Sequence, residues 1–488
     1  MISFLLALAV LIIGYLVYGR FISRVFGADD SRTTPCYTRQ DGIDYIPLPT
    51  WKVYMIQFLN IAGLGPIFGA IMGARFGIAS YLWIVFGTIF AGATHDYLAG
   101  MISLRMNGAS LPEIIGFFLG RHSRRLMGVF ITVLMILVGA VFISGPAELL
   151  ANLTAGFGIT TYWWIGIIFI YYVIATLCPV DKIIGRIYPF FAACLIFMAV
   201  GILFYLLAVR PELPEFWSAG SLVNYEWEVN PIFPMMFISI ACGAISGFHA
   251  TQSPLMARCI KSEAMGRRCF YGAMVTEGVV ALIWAAAATC FFQANGIINP
   301  DTGKPYTGAF VASSICNNWL GLVGGILAIL GIAIAPITSG DTALRSGRLI
   351  IADFFKREQK SMKGRLLIAI PMFVLTTMVL VWSINDVKGF GVLWRYFAWC
   401  NQALSVFTLW AITVYLLRER KPWIVTFLPS VFMTCVCSTY ILVAPEGLSL
   451  PYHVGLGIGI VFSLFVSVST LVGHFLHVKH QRVYPKLS

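Results

Sequence analysis

Apolar residues in this chain gather in runs of about 17 to 25, the length a helix needs to cross the hydrocarbon core of a bilayer, and polar residues are confined between them. Thirteen such runs can be marked, near residues 2 to 19, 53 to 75, 79 to 102, 126 to 150, 162 to 178, 187 to 208, 231 to 253, 268 to 292, 319 to 344, 366 to 383, 391 to 416, 423 to 443 and 453 to 476. The pattern predicts an all-α membrane protein. The longest hydrophilic segments, near residues 20 to 51 and 293 to 318, are loop-sized, so residues 1 to 488 form one transmembrane domain with no separate soluble unit. Leu111 to Gly120 is too short to span; its SLPE start is a capping signal, and it is expected to lie at the interface.

Two of the runs carry residues that a continuous helix does not want. In NIAGLGPIFGA, Asn60 to Ala70, Gly63 and Gly65 loosen the backbone and Pro66 removes a donor. Non-helical backbone is tolerated at membrane depth only where protein buries it or it lines a polar cavity. A broken membrane helix therefore points to a transport site. An inverted-repeat transporter should carry a matching break five spans later, in a helix of opposite direction. The seventh run contains ISIACGAISGFHATQSP, Ile238 to Pro254, with Gly243, Gly247 and Pro254 and a polar cluster of Ser246, His249, Thr251, Gln252 and Ser253. Close helix packing is the competing explanation of such glycines; two breaks at corresponding positions favour a site.

Composition agrees: 59% of residues are hydrophobic and 11% charged, far from the roughly 25% charged content of soluble domains. The net charge of +12 could suggest nucleic acid, but the basic residues are spread over short loops rather than gathered in a patch. Alternate loops carry them. Arg20, Arg24, Arg32 and Arg39 fall in the first, Arg105, Arg121, Arg124 and Arg125 in the third, Lys182 and Arg186 in the fifth, and Arg258, Lys261, Arg267 and Arg268 before the eighth span. Arg345, Arg348, Lys356, Arg357, Lys360, Lys363 and Arg365 follow the ninth span, and Arg418, Arg420 and Lys421 the eleventh. An intervening loop is acidic, with Glu212, Glu215, Glu226 and Glu228. About 28 of the 33 basic residues thus fall on one side, the side that the positive-inside rule assigns to the cytoplasm. The N-terminus is expected outside and the C-terminus inside. The eleven cysteines show no metal or disulfide spacing and read as small packing residues. The first run lacks the flanks of a removable signal peptide and should remain as a helix.

The segments NIAGLGPIFGAIMGARFG, ATHDYLAGMISLR, CGAISGFHA and TSGDTALRSGR resemble the carbon starvation (CstA) family of peptide and pyruvate transporters, over most of the chain. That family is grouped with the amino acid, polyamine and organocation transporters. The resemblance implies a LeuT-like fold of five plus five inverted helices: one extra N-terminal helix at 2 to 19, repeats at 53 to 208 and 231 to 416, and two C-terminal helices at 423 to 476. Longer members carry a histidine pair where this chain has Ile56 and Gln57, so peptide transport is the safer carry-over than proton coupling or pyruvate specificity.

Site residues follow from the breaks. The backbone of Ala62, Gly63, Leu64, Gly65 and Pro66 offers free amides and carbonyls, and the half-helix starting near Pro66 would turn its positive end toward a substrate carboxylate. Peptides and pyruvate both have one. Asn60 either holds the break or touches the ligand. The second break would add Ser246, Gly247, His249, Gln252 and Ser253. Ala335, Thr338 and Ser339 stand at i, i+3 and i+4 on one helix face. Hard oxygens suit sodium, and the arrangement resembles the sodium site of LeuT-type transporters, which implies carbonyls of Leu59 and Ala62 as partners; hydroxyls bonded to their own helix are the bland alternative. Asp96 lies within a span where an unpaired charge costs about 2.5 to 3.5 kcal/mol, so it must pair, protonate or face water; it could take up a proton for ion coupling or bond backbone at the neighbouring break, the latter being the favoured role. His95 should point about 100° away from it, so the two need not act together. His249 could relay protons or bond ligand. Glu277 and Asp341 are further candidates for buried carboxylates, Glu277 as an ion-coupling group and Asp341 expected to pair with Arg345 one turn on. The coupling ion is therefore Na+ or H+, with no cofactor.

No GxxxxGK[ST] loop for ATP is present. The function class is an ion-coupled importer of short peptides, with pyruvate or another small carboxylate as the alternative substrate and the lipid bilayer as its setting. A channel would share the polar interior. An intramembrane enzyme would use His95, Asp96 and His249, but there is no HExxH motif or close histidine pair on one face.

Overall fold

Long apolar runs become helices because a helix satisfies every backbone polar group within its own segment, which lipid cannot do for it. The computed structural model describes residues 1–42, 44–177, 184–218, 224, 230–300, 303–355, 362–386 and 389–480. Lys182, Glu226, Glu228, Lys356, Arg357 and Lys360 lie outside the described residues. Among the described residues nine helices are long and apolar enough to cross a membrane, by length and composition: Ile2–Phe26, Arg121–Leu153, Phe191–Val209, Arg267–Asn295, Gly308–Ala352, Lys363–Asn385, Gly389–Arg418, Ile424–Val443 and Tyr452–Gly473. Thr50–Ile61 and Gly65–Ala74, bent by 56°, make a tenth if taken as one span.

The expectation of thirteen spans is thus met by nine helices, or ten with the bent pair. The other three runs are helical over much of their length but differ physically. Residues 79–105 pass from Ala79–Leu82 through a wide π-helical stretch, Trp83–Gly92, into Ala93–Arg105, where His95 and Asp96 lower the apolarity. Thr161–Ala175 is shorter. Residues 231–257 are interrupted: Phe237–Ser239 ends at Ile240, and helix resumes only at Gly247–Ala257. The hydrophilic segment near 293 to 318 is also not all loop. It holds a small hairpin pairing Ile298 with Pro305 and Asn299 with Lys304, and helix begins at Gly308. That helix runs to Phe354 across a kink at Gly321, whose φ of 66° a side chain would resist. Ser110 and Glu113 form the expected capping box on Leu111–Leu119, the Glu113 carboxylate accepting from Ser110 N at 2.8 Å.

Arg121–Leu153 and Gly308–Phe354 pack along one another, and the breaks lie within the buried core. Loops group at two ends. At one, Arg105 donates to Glu263 (3.0 and 2.9 Å) and to Gly27 O, Lys421 reaches Phe26 O, and Arg258 donates to Gly108 O. These residues come from loops that the charge pattern puts on one side. At the other end Glu215 meets the Met1 amine, Thr307 donates to Glu148, and Arg395 pairs with Glu446.

Candidate functional site at two helix breaks

The first break follows from its residues. Ala62 ends Thr50–Ile61 with φ −78° and ψ 58°, and helix restarts at Gly65–Gly69, with Pro66 in its first turn, where its missing N–H costs nothing. The second break leaves helix at Ile240 (φ −88°, ψ 63°) and re-enters through extended Ser246. The two touch. A Cβ at Gly65 would lie 2.1 Å from Cys242 Cβ, and one at Gly243 would lie 2.6 Å from Ala281 Cβ and 3.8 Å from Pro66 Cα. Asn60, Gly63, Leu64, Gly65, Pro66, Ser246, Gly247, His249, Gln252 and Ser253 are all buried.

The polar groups of the second break are organised by a residue that the sequence did not single out. Asn401 Oδ1 accepts from Ser246 Oγ (3.0 Å) and Phe248 N (2.7 Å), so it caps the half-helix Gly247–Ala257 from another helix. Its Nδ2 donates to Cys242 Sγ at 3.3 Å. Gln402 donates to Ala241 O at 2.9 Å, and Thr88 to Gly243 O at 3.0 Å. An adjacent Asn–Gln pair in the middle of the apolar run 391 to 416 was the available signal. Ser253 donates to His249 O, and Gln252 to Thr251 Oγ1. Asn60 Oδ1, Gln57 Oε1 and Gln252 Oε1 are buried without a hydrogen bond.

Asp96 is fully buried and bonds two imidazoles rather than the backbone of the break. One carboxylate oxygen lies 2.8 Å from His95 Nδ1 and the other 2.8 Å from His249 Nδ1. Both expectations for this pair are corrected: His95 and Asp96 do meet, because a short carboxylate can turn back along the helix to an adjacent ring while its second oxygen reaches across to Gly247–Ala257. His249 Nε2 in turn lies 3.4 Å from Glu277 Oε2. Three segments are thereby joined through fully buried side chains, a donor set able to hold a cation. Cys242 is no mere packing residue either: its Sγ, His249 and Glu277 place ligand atoms within 4.8 Å of one another. The ten described cysteines are all free.

The suspected sodium ligands are brought together across two helices. Ser339 Oγ donates to Leu59 O at 2.9 Å, beside Ala62. Thr338 follows the bland alternative and donates to Ala335 O on its own helix at 2.8 Å. Asp341 and Arg345 are 3.5 Å apart, as the one-turn spacing implies.

Residues 1–162, 149–320 and 307–440 match the family described as "Carbon starvation protein CstA". The chain belongs to that family. An uncharacterized membrane protein of Haemophilus influenzae is 43% identical over 340 residues, 60% of this chain and 92% of that one. The peptide transporter CstA of Helicobacter pylori is 26% identical, covering 87% of this chain and 79% of its own. The pyruvate/proton symporter BtsT of Escherichia coli is 27% identical over 58% of this chain and 48% of its own. Among solved structures, a manganese transporter of Eremococcus coleocola has a TM-score of 0.54 at 13% identity, over 90% of this chain and 99% of that one. This CstA-family chain is thus a multi-pass membrane protein, similar in fold to a known transporter.

Proposed function

We propose that the chain imports short peptides across a bacterial inner membrane as an ion-coupled secondary carrier, by alternating access around the paired breaks. The observation that carries this reading is the contact of Gly65 with Cys242, which puts two interrupted spans back to back in the buried core. Carriers place substrate where discontinuous helices meet. Relatives named peptide transporter CstA supply the substrate class. The substrate carboxylate takes the positive end of the half-helix at Gly65, near Asn60, Gly63 and Leu64, since Asn401 already occupies the equivalent end at Phe248. A small carboxylate such as pyruvate is the second reading, favoured by the likeness to BtsT.

Sodium is the coupling ion in this reading, held by carbonyls of Leu59, Ala62 and Ala335 with the hydroxyls of Thr338 and Ser339. The Ser339 to Leu59 bond supports it, because it keeps a hydroxyl and a carbonyl oxygen at the junction that sodium would take over. The N-terminus is outside and the C-terminus cytoplasmic, supported by the clustering of Arg105, Arg258 and Lys421 at one end.

Uptake of labelled di- and tripeptides and of pyruvate into proteoliposomes, with sodium and proton gradients imposed separately, tests all of this. Sodium-driven peptide accumulation is expected, and Ser339→Ala should lower it about tenfold or more at unchanged protein level, a tenfold change being about 1.4 kcal/mol. Accumulation driven by protons alone, or full sodium dependence in Ser339→Ala, would reject the sodium site.

A further inference from the structure

Cys242, His249 and Glu277 meet where the second break crosses the helix Gly272–Asn295, and each is buried. Both carboxylate oxygens of Glu277 and the Nε2 of His249 make no hydrogen bond, although Nε2 and Oε2 stand 3.4 Å apart. Buried polar atoms without partners are costly and rare, and three on two facing side chains point to something that sits between them. The third member is a sulfur that accepts a hydrogen bond from Asn401 Nδ2 at 3.3 Å and donates one to Ser246 Oγ at 3.7 Å, a thiol whose proton a bound metal would displace.

We propose that these three side chains bind a divalent transition-metal ion, with Zn2+ the class that the donors suit best. A mixed set of thiolate, imidazole and carboxylate is borderline-soft, unlike the all-oxygen shells of magnesium or calcium. The geometry is close to that of a loaded site. Zinc bonds of about 2.0 to 2.3 Å in a tetrahedron put neighbouring ligand atoms roughly 3.3 to 3.7 Å apart; the His249 and Glu277 atoms are already at 3.4 Å, and all three ligand atoms lie within 4.8 Å. Charge also balances, since a thiolate and a carboxylate together cancel a divalent cation.

The outer shell has the form that orients a metal-binding histidine. Asp96 engages His249 Nδ1 at 2.8 Å, which leaves Nε2 to face Cys242 and Glu277, and His95 engages the other oxygen of Asp96. Carboxylate–histidine pairs of this kind fix the ring and strengthen it as a ligand. Three protein ligands leave a fourth position for water or an incoming donor. Because Gly65 packs against Cys242, the cluster adjoins the junction of the two breaks.

The test uses the full chain in detergent, stripped with a chelator, reloaded with Zn2+ or Co2+ and desalted, with size-exclusion profiles checking each variant. One metal ion per chain is expected, and the Co2+ form should show thiolate-to-metal charge transfer with tetrahedral visible bands. Cys242→Ser should abolish the charge-transfer band, Glu277→Gln should reduce bound metal to background, and Cys437→Ser should change neither. Asp96→Asn should bind about 10- to 100-fold more weakly. Wild-type protein that takes up no metal above a protein-free control, or a band that survives Cys242→Ser, would overturn the proposal. Binding is read without substrate or gradient, so its failure leaves the carrier reading standing, and failed uptake with intact binding would do the reverse.

Discussion

Asp96 shows how much one side chain can decide. A lone carboxylate in a span is costly to insert, yet this one is bound on both oxygens by imidazoles and joins Ala93–Arg105 to Gly247–Ala257. The sequence located Asp96, His249 and Glu277 as polar residues in apolar surroundings. It did not show their partners, because which residues face one another across two helices depends on rotation and depth that no local pattern carries. Outside the spans, Glu215 illustrates a charge whose effect can be read in solution. Burial alone would raise its pKa, but the N-terminal amine, Ser3 and the amide of Ile2 hydrogen-bond the carboxylate and pull it from 4.5 down to about 2. A depressed carboxylate stabilises the fold above its unfolded pKa and loses that contribution as pH falls through the folded value. The melting temperature of wild type should therefore exceed that of Glu215→Gln by a constant margin near neutrality, and the margin should shrink between 4.5 and about 2. A margin independent of pH across that window would show that the charge plays no part.

At the scale of elements, glycine and proline made the breaks legible. Gly63, Gly65 and Pro66 cannot favour a continuous helix, and the chain is in fact bent by 56° there. The same reasoning found residues 238 to 254, but not why the second break holds its shape. That depends on Asn401, more than 150 residues away in sequence. Length was the less reliable guide. Residues 308 to 318 hold Ser313, Ser314, Asn317 and Asn318 and read as a loop, yet they are helical and precede the kink at Gly321. Polar residues in a helix outside the apolar window carry no signal that separates them from a connection. The contact between the breaks has a direct test. Gly65→Ala would drive a methyl to within 2.1 Å of Cys242 Cβ, an overpacking that costs about 1 to 3 kcal/mol where neighbours can shift. Lowered thermal stability is expected, with partial recovery in Gly65→Ala/Cys242→Gly. Wild-type stability of Gly65→Ala would mean that the two breaks do not touch in solution.

Across the whole molecule, one end is closed by a charged latch. Glu263 receives two guanidinium bonds from Arg105 and the Asp29 amide at 2.8 Å, while the Arg105 guanidinium stacks 3.9 Å over the Phe26 ring. This ties the N-terminal helices to the segment that follows the second break. Charge-assisted bonds contribute about 1.5 to 3 kcal/mol each, so Glu263→Gln should favour opening at this end. The rate at which a maleimide labels buried Cys36, followed by peptide mass spectrometry, should then rise about tenfold, which corresponds to about 1.4 kcal/mol. An unchanged rate would remove the latch from any account of gating. The capping of Phe248 and Ser246 by Asn401 bears on how such opening can proceed. The half-helix Gly247–Ala257 borrows its first acceptor from Gly389–Arg418, so tilting one without the other would strip the buried Phe248 amide of its 2.7 Å bond to Asn401. In the proposed alternating-access cycle the two would swing as a single rigid lever, which would put the hinge on the far side of Gly389–Arg418.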